Sequence, residues 1–78
     1  MAIMRTRKID GTKIRLARED AGLTQAKLAA ILRIAPSTVG HWEIGNRSPG
    51  PAAFRSLCKT LRVTAADLTA DQTSVTAA

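Results

Sequence analysis

The stretch from Thr24 to Gly45, TQAKLAAILRIAPSTVGHWEIG, constrains the fold more than any other part of this chain. Thr24 can cap a helix by accepting a backbone N–H, and the run QAKLAAIL that follows favours helix. Residues 33–35 interrupt this run, and Pro36 suits the first position of a new helix because that position needs no N–H. Gly45 can adopt the left-handed conformation that ends a helix. The stretch therefore predicts two short helices joined by a tight turn, which is the spacing of a helix-turn-helix.

The second of these helices, about residues 36–44, has two faces of different character. At about 100° per residue, Val39, Trp42 and Glu43 share one face, which we assign to the protein core. The opposite face carries hydroxyls, one imidazole and one isoleucine, and it is the face that a DNA groove would meet. Its members are Ser37, Thr38, His41 and Ile44.

Charge and size restrict the function. The chain has 78 residues, with 12 Lys and Arg against 6 Asp and Glu, and a formal net charge of +6. This length predicts one small domain with a single core, and the charge favours a polyanionic partner, with nucleic acid ahead of a membrane surface. The alternative is a basic protein whose charge serves only solubility.

The sequence carries no recognisable catalytic arrangement. Its only histidine lies on the predicted groove face, and its only cysteine, Cys58, lies on a predicted core stripe without His or Cys neighbours. We therefore expect no enzymatic activity, no disulfide, no metal and no cofactor. The single cysteine fits a reduced cytoplasm, and without an apolar run of membrane-spanning length or an apolar segment after the first charges we expect neither a membrane anchor nor a signal peptide.

Three segments are expected along the chain. Residues 1–8 form a flexible basic arm, residues 9–69 a folded domain and residues 70–78 a disordered tail. The arm contains Arg5, Arg7 and Lys8. Such an arm can follow phosphates or enter a minor groove, or it can be merely solvated.

The first helix is predicted from about residues 10–12 to Ala21 and carries a charge on its core stripe. Arg18 falls in register with Ile14, Ala17 and Ala21. Because a buried unpaired guanidinium is very costly, Arg18 needs a carboxylate, and Glu43 lies on the core face of its own helix. We predict an ion pair between Arg18 and Glu43. The alternative is two exposed charges whose stems lie along the surface.

The remaining core is predicted from the fourth helix, about residues 52–61. Its apolar stripe consists of Phe54, Leu57, Cys58 and Leu61. Thr64 and Asp67 have the spacing of a capping box, which predicts a last short helix that docks Leu68.

Together these residues resemble the Cro/CI-type helix-turn-helix, also called the xenobiotic response element family. The resemblance covers about residues 10–68 and rests on Leu23-Thr24-Gln25, Leu28-Ala29, Ser37-Thr38-Val39, His41-Trp42-Glu43-Ile44-Gly45-Asn46-Arg47, Pro49, Leu57, Leu61, Val63 and Leu68. It implies an all-α fold, a compact lambda-repressor-like bundle of five helices. In that fold the second helix lies across the DNA backbone and the third enters the major groove.

The resemblance also implies roles for individual residues. It implies that positions early in the third helix, with the position of His41, meet base edges, and that the position of Gln25 touches phosphate. From the groove face itself, Ile44 can touch a thymine methyl, so the expected base contacts are Ser37, Thr38, His41 and Ile44. Asn46 and Arg47 are expected to contact phosphate as well, because they leave the end of the third helix near a passing phosphate strand. The resemblance also repeats the pairing of Arg18 with Glu43. The alternative for Gln25, Arg47 and His41 is an idle, solvent-facing side chain.

Some positions depart from the family pattern. Ala35 stands where a hydroxyl usually caps the third helix, and Pro36 stands where a base-reading side chain is common. Arg33 and Arg62 replace glycines that often end the second and fourth helices. Either these arginines adopt positive φ or the helices end differently.

The function expected from these features is that of a sequence-specific transcriptional regulator, and the resemblance implies a bacterial or phage-encoded, nucleoid-associated protein. One third helix reads only a few base pairs, so we expect a homodimer on an inverted repeat of double-stranded DNA, with Leu68 and the end of the fourth helix as the dimer surface. The alternative is an antitoxin that binds a toxin protein and its own operator. An apolar tail would favour the antitoxin, and the tail here is polar.

Overall fold

The computed structural model describes the backbone of residues 3–75 and the side chains of residues 8–70. Within that range, four α-helices and a short 3₁₀ turn are flanked by two strands. In chain order the elements are β1 (Ile3–Ile9), α1 (Gly11–Asp20), α2 (Gln25–Leu32), α3 (Pro36–Ile44), α4 (Pro51–Leu61), the 3₁₀ turn (Ala65–Leu68) and β2 (Thr69–Val75). None of the described helices is long and apolar enough to cross a membrane.

The helix boundaries follow from local chemistry. Asp10 caps α1 by accepting the N–H of Thr12 at 2.9 Å, and Thr24 caps α2 by accepting the N–H of Lys27 at 3.1 Å. α3 begins at Pro36 without a side-chain cap and ends at Gly45, whose φ is +85°. The two helices of the helix-turn-helix therefore span the residues that the sequence predicts.

Eight apolar residues from all four helices and the 3₁₀ turn form the core, and each is at most 6 % exposed. They are Ile14, Leu28, Ala29, Val39, Trp42, Leu57, Leu61 and Leu68. Phe54 and Cys58 are partly buried against this cluster, as the stripe on α4 predicts. The side of α3 that carries Val39 and Trp42 is therefore the side that holds this helix in the domain.

The last predicted helix is a single 3₁₀ turn, so the expected number of five α-helices is wrong. The capping box is present: the Thr64 hydroxyl accepts the Asp67 N–H at 3.2 Å, and the Asp67 carboxylate accepts the Thr64 N–H at 2.9 Å. The Asp67 N–H also donates to the Thr64 carbonyl at 3.0 Å, a three-residue spacing. Four residues between this cap and β2 leave no room for an α-helical ladder.

Leu68, which the sequence analysis places at the dimer surface, is fully buried in its own chain. The 3₁₀ turn that carries it packs against α1 and α4. Its side chain is therefore part of the monomer core, and this expectation is wrong.

The all-α expectation also misses a two-stranded antiparallel sheet. β1 pairs with β2 from Ile3 opposite Val75 to Ile9 opposite Thr69, where the sequence predicts a flexible arm and a disordered tail. The helical domain brings the two segments together, because the Asp10 N–H donates to the Leu68 carbonyl at 2.9 Å. Residues 1–2 and 76–78, and the side chains of Arg5 and Arg7 in the arm, lie outside the described residues.

Arg33 and Arg62 end their helices in the left-handed conformation, with φ of +59° and +57°. The chain then turns back, and the N–H groups of Ile34 and Val63 donate to the carbonyls of Ala29 and Cys58 at 3.0 Å each. The sequence leaves open whether these arginines adopt positive φ or the helices end differently. The structure shows positive φ at the ends of both α2 and α4. This geometry satisfies carbonyls that would otherwise lack partners.

Candidate nucleic-acid interface

The outer face of α3 presents the four side chains that the sequence predicts to meet base edges. Ser37 is exposed, Thr38 and His41 are half-buried, and Ile44 is 71 % exposed. On the opposite face Val39 is fully buried. The four side chains therefore lie together on the solvent side of a helix whose other side is anchored.

The structure brings Arg18 and Glu43 together on the inner side of the last turn of α3. Arg18 Nε donates to Glu43 Oε2 at 2.6 Å and Arg18 Nη2 donates to Glu43 Oε1 at 3.2 Å, which is a two-point contact. The two side chains are only 10 % and 4 % exposed. Arg18 Nη1 also donates to the Leu23 carbonyl at 2.8 Å. The hydrogen bond to Glu43 raises the pKa of Arg18, which keeps the guanidinium charged.

Gln25, at the first position of α2, is tied to the same carboxylate. Its Nε2 donates to Glu43 Oε1 at 3.0 Å, and its side chain is exposed. A side-chain amide has two N–H donors and an acceptor oxygen, so this bond leaves Gln25 a donor for a phosphate. The amide is thereby held at the α2 N-terminus, where the helix dipole favours an anion.

Gly40 lies against Gln25, a contact that the sequence analysis did not foresee. A β-carbon at Gly40 would fall 3.6 Å from Gln25 Oε1, which is ordinary van der Waals distance. Gly40 and Glu43 are three residues apart on α3 and so share one side of it. That spacing was a signal for a contact with α2, but only the packing of the two helices identifies Gln25 as the partner.

The loop after α3 returns to the exposed end of that helix. The N–H groups of Asn46 and Arg47 both donate to the His41 carbonyl, at 3.0 and 3.3 Å, and Asn46 Nδ2 lies 3.5 Å from His41 Nδ1. Both loop side chains are exposed. The loop thus places Asn46 and Arg47 beside the groove-facing side chains, where an adjacent phosphate strand can reach them.

Exposed cations lie on α2, on the turn before α3 and on the loop after it. Lys27 in α2, Arg33 between α2 and α3, and Arg47 after α3 are all exposed. By contrast, Arg15 on α1 is 3.3 Å from Glu19, in an exposed ion pair. The helix-turn-helix and its following loop therefore carry unbalanced positive charge, which suits a polyanion.

The chemistry of the described residues is that of hydrogen-bond donors, hydroxyls and cations. Within residues 8–70 no three His, Cys, Asp or Glu side chains come together as metal ligands. Cys58 is half-buried, and burial raises the pKa of its thiol, which keeps it protonated. This arrangement can bind a charged, hydrogen-bonding surface.

Comparison with known proteins gives a family match and several similar solved structures. A family described as a helix-turn-helix domain matches residues 11–71. No curated protein matches the sequence. Among solved structures, the clp gene regulator ClgR from Corynebacterium glutamicum is 29 % identical, with a TM-score of 0.67 over 74 % of this chain and 75 % of that one.

Two further solved structures are similar. The restriction-modification controller protein C.AhdI from Aeromonas hydrophila is 29 % identical, with a TM-score of 0.69 over 74 % of this chain and 88 % of that one. The P22 c2 repressor, solved with a synthetic operator, shares the fold at 23 % identity, with a TM-score of 0.72 over 78 % of this chain and 92 % of that one. The family match, these structural likenesses and the anchored, outward-facing α3 agree, and the chain belongs to the helix-turn-helix domain family as a Cro/CI-type DNA-binding protein.

Proposed function

We propose that this protein is a sequence-specific transcriptional regulator that places α3 in the major groove of double-stranded DNA. The observation that carries the proposal is the asymmetry of α3: Glu43 is held by Arg18 at 2.6 Å, while Ser37 and Ile44 on the outer face are exposed. A helix whose inner side is fixed can present its outer side chains to base edges without losing order on binding.

The outer face of α3 supplies the base contacts in this proposal. The hydroxyls of Ser37 and Thr38 can donate to or accept from base edges, and His41 can donate to a guanine acceptor. Ile44, with 71 % of its surface exposed, suits a thymine methyl. Because Pro36 contributes no donor, specificity depends on these four side chains.

The phosphate contacts come from both sides of α3. Gln25 stands at the start of α2 with its amide oriented by Glu43, and Asn46 and Arg47 follow the end of α3. Contacts of this kind set the position of a domain on the duplex and carry no direct sequence information. They are expected to supply the salt-dependent part of the binding free energy.

The regulator acts in this proposal as a homodimer on an inverted repeat. α3 has 9 residues and is therefore about 13 Å long, enough to read only a few base pairs. Two copies related by a two-fold axis would read half-sites about one helical turn apart. ClgR and C.AhdI, both 29 % identical to this chain, are described as a gene regulator and a controller protein. The proposed place of action is the DNA of a bacterial cytoplasm.

Selection from random duplex DNA tests this function. Purified protein is used to enrich binding sequences, and the enriched duplex is titrated against a scrambled one at two salt concentrations. The proposal expects an inverted repeat, preferred by about 10³-fold or more. Equal binding to both duplexes, falling steeply with salt, would contradict it and direct the search to a protein partner, beginning with a toxin.

Two matched variants separate the phosphate contacts from general charge. Arg47→Ala and Lys59→Ala each remove one exposed positive charge, the first beside α3 and the second in the last turn of α4. Arg47→Ala is expected to weaken binding to all sequences alike and to lower the slope of binding against salt by about one. Lys59→Ala is expected to leave both quantities unchanged.

A further inference from the structure

Gly11, the first residue of α1, lies against the C-terminal end of α3. A β-carbon at this position would fall 2.5 Å from the carbonyl oxygen of Glu43, 2.8 Å from its carbonyl carbon and closer still to the carbonyl oxygen of Trp42. Real β-carbons essentially never approach other atoms within 3.0 Å. Any residue other than glycine would therefore force the start of α1 and the end of α3 apart.

Close packing, and not backbone freedom, requires glycine here. The glycines with positive φ are Gly22 and Gly45, and Gly11 is not among them. The contact at Gly11 is also unlike that at Gly50, where a β-carbon would meet nothing within 4 Å. Among the glycines of this chain, Gly11 is the one whose missing side chain brings two helices together at backbone distance.

The two helix ends attract each other. The N-terminus of α1 carries a partial positive charge, and the last carbonyls of α3 carry a partial negative charge. Trp42 and Glu43, whose carbonyls face Gly11, belong to the same helical turn as His41 and Ile44. The backbone contact at Gly11 therefore acts directly on the turn that presents two of the proposed base contacts.

We infer that Gly11 is a positioning residue for DNA recognition, which sets how far the C-terminal half of α3 projects from the domain. This inference rests on the function proposed above. The N-terminal half of α3 is supported differently, because the short turn 33–35 joins it to α2 and the Ile34 N–H donates to the Ala29 carbonyl at 3.0 Å. Displacing the Gly11 contact should tilt α3 about that turn, so His41 should move more than Ser37.

Gly11→Ala tests the inference, with Gly50→Ala as the matched control. Both positions flank the start of a helix, and Gly50 has a φ of −69° that alanine adopts freely. Trp42 is the only tryptophan, is 6 % exposed and contributes a carbonyl to the contact. We expect a shift of its fluorescence emission to longer wavelength in folded Gly11→Ala and no shift in Gly50→Ala.

Binding to the selected duplex gives the second measurement. Gly11→Ala should bind about tenfold more weakly or worse, the cost of losing one good base contact. A double-mutant cycle localises the loss. His41→Ala should cost less in the Gly11→Ala background than in the wild type, whereas Ser37→Ala should cost the same in both.

Three results would overturn the inference. They are a folded Gly11→Ala protein with wild-type affinity, an equal coupling of Gly11 to Ser37 and His41, and an unchanged Trp42 emission. A wild-type protein that binds all duplexes alike would instead remove the proposed function, and this inference with it. The first group of results leaves the proposed function standing, so the two failures are distinguishable.

Gly11→Ala is also made in an Arg62→Gly background, because glycine relieves the positive φ at the end of α4 and stabilises the host. A folded double variant with the expected Trp42 emission and cycle supports the inference. A chain that stays unfolded in both backgrounds overturns it, since Gly11 would then be required for folding and not for setting the position of α3.

Discussion

The two faces of α3 differ in how many partners hold them. Glu43, on the inner side, receives three hydrogen bonds, two from Arg18 and one from Gln25, and its side chain is 4 % exposed. On the outer side, Ile44 is 71 % exposed, and the His41 imidazole has a single hydrogen-bond contact, with Asn46 at 3.5 Å. Adjacent residues in one helix thus serve different purposes: the inner face stabilises the fold and the outer face is available for binding.

This difference predicts that changes to the two faces affect different quantities. Inner-face changes should lower the free energy of unfolding, and outer-face changes should lower DNA affinity at nearly constant stability. The following variants test that separation.

The largest expected effect comes from Glu43→Gln, which removes the charge that balances Arg18. The free energy of unfolding should fall by about 3 kcal/mol, because the guanidinium remains in a largely buried site without its carboxylate. Urea unfolding followed by Trp42 fluorescence measures this change. The matched control is Glu19→Gln, whose Arg15 partner is 62 % exposed, and its expected cost is below about 0.5 kcal/mol. A cost below about 0.5 kcal/mol for Glu43→Gln would contradict the structural role of the pair.

His41→Ala tests the outer face. DNA affinity should fall about tenfold through the loss of a base or phosphate contact, while the free energy of unfolding should change by no more than about 0.5 kcal/mol. Titration of the selected duplex and urea unfolding give the two quantities. Unchanged affinity together with unchanged sequence preference would mean that the proposed orientation of α3 in the groove is wrong.

Ala35→Ser sharpens the comparison at the start of α3. Ala35 has the extended backbone of an N-cap but no side-chain cap, so serine should raise the free energy of unfolding by about 1 kcal/mol. The same change at Ala30, exposed inside α2, is the control and should lower stability by about 0.5 kcal/mol. A gain in both variants, or in neither, would show that capping is not the cause.

The smallest expected effect lies at Asp67, away from both faces of α3. Hydrogen bonding from the Thr64 backbone N–H, and next from the Thr64 side chain, lowers the pKa of this carboxyl below its usual value of 3.8. Its contribution to stability is therefore present above about pH 3.8 and is lost as the pH falls through the lower, folded-state pKa. Thermal unfolding of wild type and Asp67→Asn should differ near neutral pH and converge in acid. A difference that persists below the folded pKa would exclude the carboxylate as its source.

Local patterns were sufficient for most of the helical domain. Thr24, Pro36 and Gly45 each act on backbone within a few residues, so they mark the ends of α2 and α3 without knowledge of the fold. The Arg18–Glu43 contact could also be predicted from the sequence, because two charges on core-facing positions leave few ways to avoid an unpaired buried ion.

The missed features all depend on long-range proximity. The paired residues of β1 and β2 are 60 to 72 positions apart in the sequence, and neither segment has a local signal that requires a strand. The contact of Gln25 with Gly40 depends on how α2 crosses α3. The local sequence indicates only that Gly11 lies near the start of a helix. The carbonyl groups of α3 beside it explain why this position requires glycine.

The sequence by itself determined the extents of α2 and α3, which face of α3 is apolar and which charges must pair. These properties follow from capping, periodicity and the cost of burying a charge, all of which act within a helix or on single residues. Only the tertiary structure decided the terminal sheet, the 3₁₀ turn and the backbone contact at Gly11. Such features arise when segments distant in sequence are packed side by side, and their free energy depends on distances that no local pattern encodes.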